Sequence, residues 1–215
     1  MQDYIIYGAF AISALPLFFL RFRKIIKSYK IDLLAIKPYL WLLFLGSFYE
    51  LVFSILLKIE TAYWFTAYTL LEFLMLWYFF SRILIGNYKR FFYISFLLVL
   101  TAFLITLYYW SIEFHSKLEG YLYVPISLFV FVCVFLYYKL LFKKTHLVPI
   151  WKTPAFYFTN GLMIYFSVGV FVSLLIYDLR IITGLFKKYW VIYIMVSYIM
   201  RIMMVIGVWK GTGKK

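Results

Sequence analysis

One acidic side chain, Glu72, interrupts the apolar run "WFTAYTLLEFLMLWYFF" (64–80). A charged group at bilayer depth costs roughly 2.5–3.5 kcal/mol on insertion scales and more by other measures, so it needs a partner or a wet cavity. Glu50 and Arg201 interrupt two other apolar runs, and Asn160 stands in a fourth. Acids and a guanidinium buried together can do two kinds of chemistry. They can pair as a clamp that fixes which helices touch, or they can line a ligand or proton site. Tyr68 and Tyr198 lie one helical turn before Glu72 and Arg201 and can bring hydroxyls to the same place. The expected site is a buried polar network of Glu72, Arg201, Glu50, Asn160, Tyr68 and Tyr198, with Glu72 paired directly to Arg201.

Counting residues from the basic end of each run gives depth. At about 1.5 Å per residue, Glu72 lies roughly 15 Å above Arg82 and Arg201 roughly 13 Å above Lys210. Glu50 comes out about 20 Å above Lys37, and Asn160 about 12 Å above Lys152. Small and hydroxylated residues share the faces that bear these groups: Gly46, Ser47 and Ser54 with Glu50, Thr69 with Glu72, and Ser197 with Arg201. Tyr157 and Ser167 accompany Asn160, and Gly169 with Ser173 has small-xxx-small spacing. Such faces suit close helix contacts within a membrane.

The elements that must carry these groups follow from composition. The chain is 67% hydrophobic and 25% aromatic, with a mean hydropathy of +0.94, far from the roughly half-apolar usage of a soluble domain. About 20 mostly apolar residues make one span. Seven stretches qualify, at about 4–20, 39–57, 62–81, 91–110, 121–141, 154–177 and 189–209. The fold class expected is an all-α polytopic bundle of seven transmembrane helices forming one domain over residues 1–215. The connections leave no room for a soluble catalytic or nucleic-acid-binding domain, so the net charge of +14 concerns membrane orientation instead. The first stretch follows Asp3 and lacks a small-residue cleavage site before Arg21, so it is expected to stay as a helix.

Lysine and arginine fall unevenly on alternate connections. Sixteen lie in 21–37, 82–90, 139–152 and 210–215, against five in the N-terminal segment, 58–61, 111–120 and 178–188. The positive-inside rule puts the sixteen in the cytoplasm, with the N-terminus outside and the C-terminus inside. Lys187 and Lys188 run against the count and are expected to snorkel. Trp41, Trp64, Trp110, Trp151 and Trp190, near span ends, suit interface anchoring. In the first inner connection Phe22, Ile25, Ile26, Tyr29, Leu33 and Ile36 recur at helical spacing, which suits a helix lying on anionic lipid headgroups. It reads either as a docking surface for a cytoplasmic partner or, the reading favoured, as an ordinary basic loop that fixes topology. Arg21, Arg23, Lys24, Lys27 and Lys30, with Lys143 and Lys144 from a later connection, form the expected inner basic surface.

Several chemistries are excluded. The last span has no lysine for a retinal Schiff base. The two histidines, His115 and His146, lie on opposite sides, and Cys133 is the lone cysteine, so no metal site and no disulfide are expected. No phosphate loop or nucleophile–base pair appears. No catalytic residue and no cofactor are assigned.

Three segments, "YTLLEF" (68–73), "WKTPAFYFTNGLMIYFS" (151–167) and "YIMRIMMVIGVWK" (198–210), resemble a group of small seven-helix membrane proteins of Bacteroidetes-type bacteria, often encoded beside sensor histidine kinases. The resemblance implies that Glu72 is the group's shared acid and that Gly161 to Ser167 is its sixth-helix motif. It also implies a His or Asn and a Lys in the last helix, where this chain has a tyrosine and Arg201, which keeps the charge. The resemblance carries no activity with it.

The function expected is therefore a non-enzymatic sensory or signalling-accessory protein of the bacterial inner membrane, with its polar site inside the bundle. The expected partners are anionic inner-leaflet lipids, a cytoplasmic signalling protein and further copies of the chain, with no nucleic acid among them. Two alternatives stand beside it: a small transporter or pore with a carboxylate relay, and a membrane effector of a bacterial defence system.

Overall fold

A computed structural model describes residues 2–57, 62–84, 88–109, 115–143, 149–182 and 186–213, with side chains over 6–53, 56–57, 64–84, 88–109, 122–143, 149–172 and 191–213. Among the described residues seven α-helices dominate: α1 (Gln2–Phe22), α2 (Lys30–Tyr49), α3 (Ala62–Ile83), α4 (Lys89–Tyr108), α5 (His115–Lys143), α6 (Pro154–Ile182) and α7 (Phe186–Gly211). An apolar segment in lipid has to satisfy its own backbone hydrogen bonds, which is why these sequences become helices. α2 runs directly into a π-helical stretch, Glu50–Leu56. Five helical segments are long and apolar enough to cross a membrane: Lys27–Phe53, Lys89–Tyr108, Leu122–Lys143, Pro154–Val172 and Val191–Gly211. Ile6–Phe22 of α1 is apolar but shorter. α3, 22 residues long, is not among these five. The architecture is that of a multi-pass helical membrane protein.

The helices close on themselves. α6 packs along α7, α7 returns to α1, and α1, α2, α3, α5 and α6 follow one another around the bundle. α2 also reaches α6 and α7 across the middle, while α4 lies outside against α3 and α5. Phe73, Leu76, Phe79 and Phe80 of α3 meet Ile126, Phe129, Val130 and Cys133 of α5 and Phe158, Leu162 and Phe166 of α6 in one core. Edge-to-face ring pairs such as Phe73–Phe129 and Phe80–Phe129 fill it, the geometry that aromatic quadrupoles prefer. At Gly207 the Phe158 ring lies where any Cβ would collide, so α6 and α7 can approach closely. Tyr93, Ile94, Leu97 and Leu98 of α4 point outward.

The first basic connection departs from expectation. No interfacial helix spans 21–37. α1 continues to Phe22, the chain turns through β1 (Lys24–Ile25) and a 3₁₀ turn at Lys27–Tyr29, and α2 starts at Lys30 instead of residue 39. Leu33 and Ile36, expected on lipid, are fully buried in the core. With Tyr39 and Leu40 they make an inward stripe while Lys30 and Lys37 stay exposed, so the same periodicity belongs to a bundle helix. β1 pairs antiparallel with β2 (Thr212–Gly213), which follows α7, and the Ile26 N–H donates to the Gly211 carbonyl at 3.0 Å. A contact between residues so far apart in sequence leaves no local pattern to read.

Candidate functional site in the bundle interior

Arg201 on α7 sits at a junction of three helices. Its Nε donates to Ser13 Oγ on α1 at 2.9 Å and its Nη2 to Ser47 Oγ on α2 at 3.2 Å, and its Nη1 donates to Ser197 one turn earlier on α7. Ser13 and Ser47 lie 3.3 Å apart, both buried, and Ser13 donates onward to the Ala9 carbonyl at 2.7 Å. A guanidinium carries five N–H donors in a planar fork. Here three neutral hydroxyls take the place of water around the cation, and Arg201 ties α1, α2 and α7 together.

Glu72 is 2% exposed. Its Oε1 accepts a hydrogen bond from the Tyr39 hydroxyl on α2 at 3.0 Å, and that hydroxyl also lies 3.4 Å from Met200 Sδ on α7. The direct pair expected between Glu72 and Arg201 is replaced by these two separate sets of bonds. Arg201 still acts electrostatically on Glu72 and on Glu50. The reason is packing: Tyr39, wholly buried, presents its hydroxyl to the acid from α2, while serines of α1, α2 and α7 take three of the fork's five donors.

Tyr68 is held over Gly46 of α2, where a Cβ would lie 2.7 Å from its ring, within the electrostatic reach of Glu72, Arg201 and Glu50. Tyr198 places its hydroxyl against Gly8 of α1. Glu50 opens the π-helical stretch beside Tyr49, whose ring stacks between those of Phe53 and Trp64 at 4.4 and 4.2 Å. Asn160 stands apart from the cluster. Its Oδ1 accepts from the Tyr138 hydroxyl of α5 at 2.8 Å and its Nδ2 donates to the Phe156 carbonyl at 2.9 Å, so its amide is used between α5 and α6. Thr69 returns its hydroxyl to the Phe65 carbonyl and Tyr157 to that of Trp151, so neither serves the cluster. The side chains of Ser54 and Ser173 lie outside the described residues.

Five contributors escaped the sequence reading: Ser13, Tyr39, Tyr123, Tyr165 and Tyr193. Tyr165 of α6 and Tyr193 of α7 share a hydrogen bond. Tyr123 of α5 brings its buried hydroxyl alongside that pair without completing a hydrogen bond. One signal for Tyr193 was available, because 193, 197 and 201 fall on one helical stripe. The others had none, since an aromatic in an apolar run reads as core.

Of the residues expected on an inner basic surface, Arg21, Lys24, Lys27, Lys30 and Lys143 are exposed. Arg23 is not: its guanidinium stacks 3.8 Å from the Trp209 ring of α7, with Nη1 buried. Lys144 lies outside the described residues.

Fold and site together define a multi-pass helical membrane protein with a polar, tyrosine-rich interior. No family model matches the chain, and neither the curated proteins nor the solved structures contain a match to it.

Proposed function

We propose that the chain is a seven-span protein of the bacterial inner membrane, N-terminus outside and C-terminus inside, that works as a non-enzymatic sensory or signalling-accessory component. The observation that carries this reading is the separation of Glu72 from Arg201 within one buried cluster. A clamp that only fixes helix contacts is best served by a direct ion pair, because each buried charge then offsets the desolvation of the other. Separate bond sets leave a direct Glu72–Arg201 pairing open as a second arrangement, and a protonation or ligand event can bias a two-state element of that kind.

A route to the cytoplasmic side lies along α7. Trp209, eight residues after Arg201 and so about 12 Å along the axis, holds Arg23, and β2 then pairs with β1 in the basic connection. A rotation or shift of α7 at Arg201 therefore moves the surface that carries Lys24 and Lys27. The test is in-cell crosslinking of a tagged copy in its native host, with Lys24, Lys27 and Lys30 neutralised as the control. Capture of one signalling protein through that surface, lost in the control, is the expected result. Self-crosslinks alone would remove the main support for a signalling role.

A second reading, a small transporter or pore with a carboxylate relay, draws on the Tyr39 hydroxyl bonded to Glu72 and on the hydrogen-bonded Tyr165–Tyr193 pair of the same bundle interior. It requires Glu72→Gln to abolish proton or cation flux in proteoliposomes while the fold persists.

A further inference from the structure

A groove of about 760 Å³ opens on the outward face of α5 near its Lys143 end, lined by Phe135, Tyr138, Lys139, Phe142 and Lys143. Phe135, Lys139 and Lys143 follow one another at four-residue spacing along one stripe, about 12 Å long, and all three are exposed. The wall is preformed: Tyr138 is fixed by its bond to Asn160, stacks on Phe142 and meets Phe156 edge-on. Three aromatic rings and the stems of two lysines line the groove, with no acid among the lining residues. Apolar walls flanked by two cations suit an amphiphile with an acyl chain and a phosphate.

We propose that this groove is a binding site for one anionic phospholipid of the inner leaflet, its phosphate between Lys139 and Lys143 and its chain along Phe135 and Phe142. Charge complementarity and position commit the site to lipid. Phe135 lies on the far side of both lysines from the Lys143 end of α5, and the lysine side chains are long enough to carry their ammonium groups to the headgroups. The leaflet assignment rests on the orientation proposed above; the lipid chemistry does not.

The test is native mass spectrometry of the full chain, delipidated in a neutral detergent, titrated with phosphatidylglycerol or with phosphatidylcholine of the same chains. A lysine near an anionic surface is worth about fivefold in affinity, so Lys139→Gln/Lys143→Gln is expected to weaken the first phosphatidylglycerol adduct about thirtyfold. Phosphatidylcholine is expected to be unaffected by that change. Lys24→Gln/Lys27→Gln, which removes as much charge from the same end of the molecule, is expected to keep the preference. Phe135→Ala is expected to weaken both lipids and leave their ratio unchanged. Retained selectivity in the Lys139/Lys143 variant, or equal loss in the Lys24/Lys27 variant, would overturn the site. Separately, Lys143→Cys is expected to resist a membrane-impermeant maleimide in intact cells. Labelling from outside would overturn the leaflet and the orientation together, and the selectivity in detergent would still decide the groove.

Discussion

The exchange of partners at Glu72 sets what its neighbours contribute. Tyr39→Phe removes the hydrogen bond that Tyr39 gives the carboxylate, and a bond to a charged group is worth about 1.5–3 kcal/mol in soluble proteins but nearer 0.6 between membrane helices. The expected cost is about 1–2 kcal/mol, measured by steric-trap unfolding in bicelles. Glu72→Gln keeps an acceptor facing Tyr39, so it is expected to cost less than Tyr39→Phe in the same assay. Arg201 is more demanding. Arg201→Met leaves Ser13, Ser47 and Ser197 without the donor that joins them and is expected to cost about 2–4.5 kcal/mol, three hydrogen bonds at about 0.6–1.5 kcal/mol each. Arg201→Lys is expected to recover only part of that, since a point ammonium does not match the planar fork. The isolated charges were legible because nothing else in an apolar run resembles them. Their partners were not. Tyr39 and Ser13 look like any aromatic and any small residue in a span, and only the packing of α1 and α2 brings them to the charges.

Helix identity was largely readable, because a mean hydropathy of +0.94 leaves few other ways to satisfy a backbone in lipid. The least readable element was α2. Its lysines placed 21–37 in a basic connection with the next span starting at 39, yet Leu33 and Ile36 are core residues of one bundle helix while Lys30 and Lys37 stay exposed. The ribbon of β1 and β2, stapled by Arg23 on Trp209, was hidden for the same reason: its two halves come from opposite ends of the chain. Trp209→Leu removes the cation–π contact, worth about 0.5–2 kcal/mol. The expected outcome is faster amide exchange at Lys24 and Ile25 with little change in overall stability. At the α6–α7 contact, Gly207→Val drives a side chain into the Phe158 ring, and overpacking of that kind costs about 1–3 kcal/mol. Phe158→Ala in the same chain is expected to return part of the loss, measured as a double-mutant cycle in bicelles.

At the scale of the molecule, α7 joins the two features that matter, the charge cluster at Arg201 and the basic end at Trp209, β2 and β1. A protein in which these moved independently would have a buried polar clamp and an unrelated basic rim. The account holds instead that they are one device, with Arg201 balanced between its serines and the two acids, and with the ribbon as the output. The measurement that tests this most directly is hydrogen–deuterium exchange of the intact chain in anionic nanodiscs, comparing wild type with Glu72→Gln at matched stability. The account predicts a change in protection at Lys24–Ile25 and at Thr212–Gly213 in the variant, while the α5–α6 contact around Asn160 keeps its wild-type exchange. Unchanged protection at the ribbon, with the effect confined to α2 and α3 around Glu72, would contradict it and leave the cluster as a local clamp.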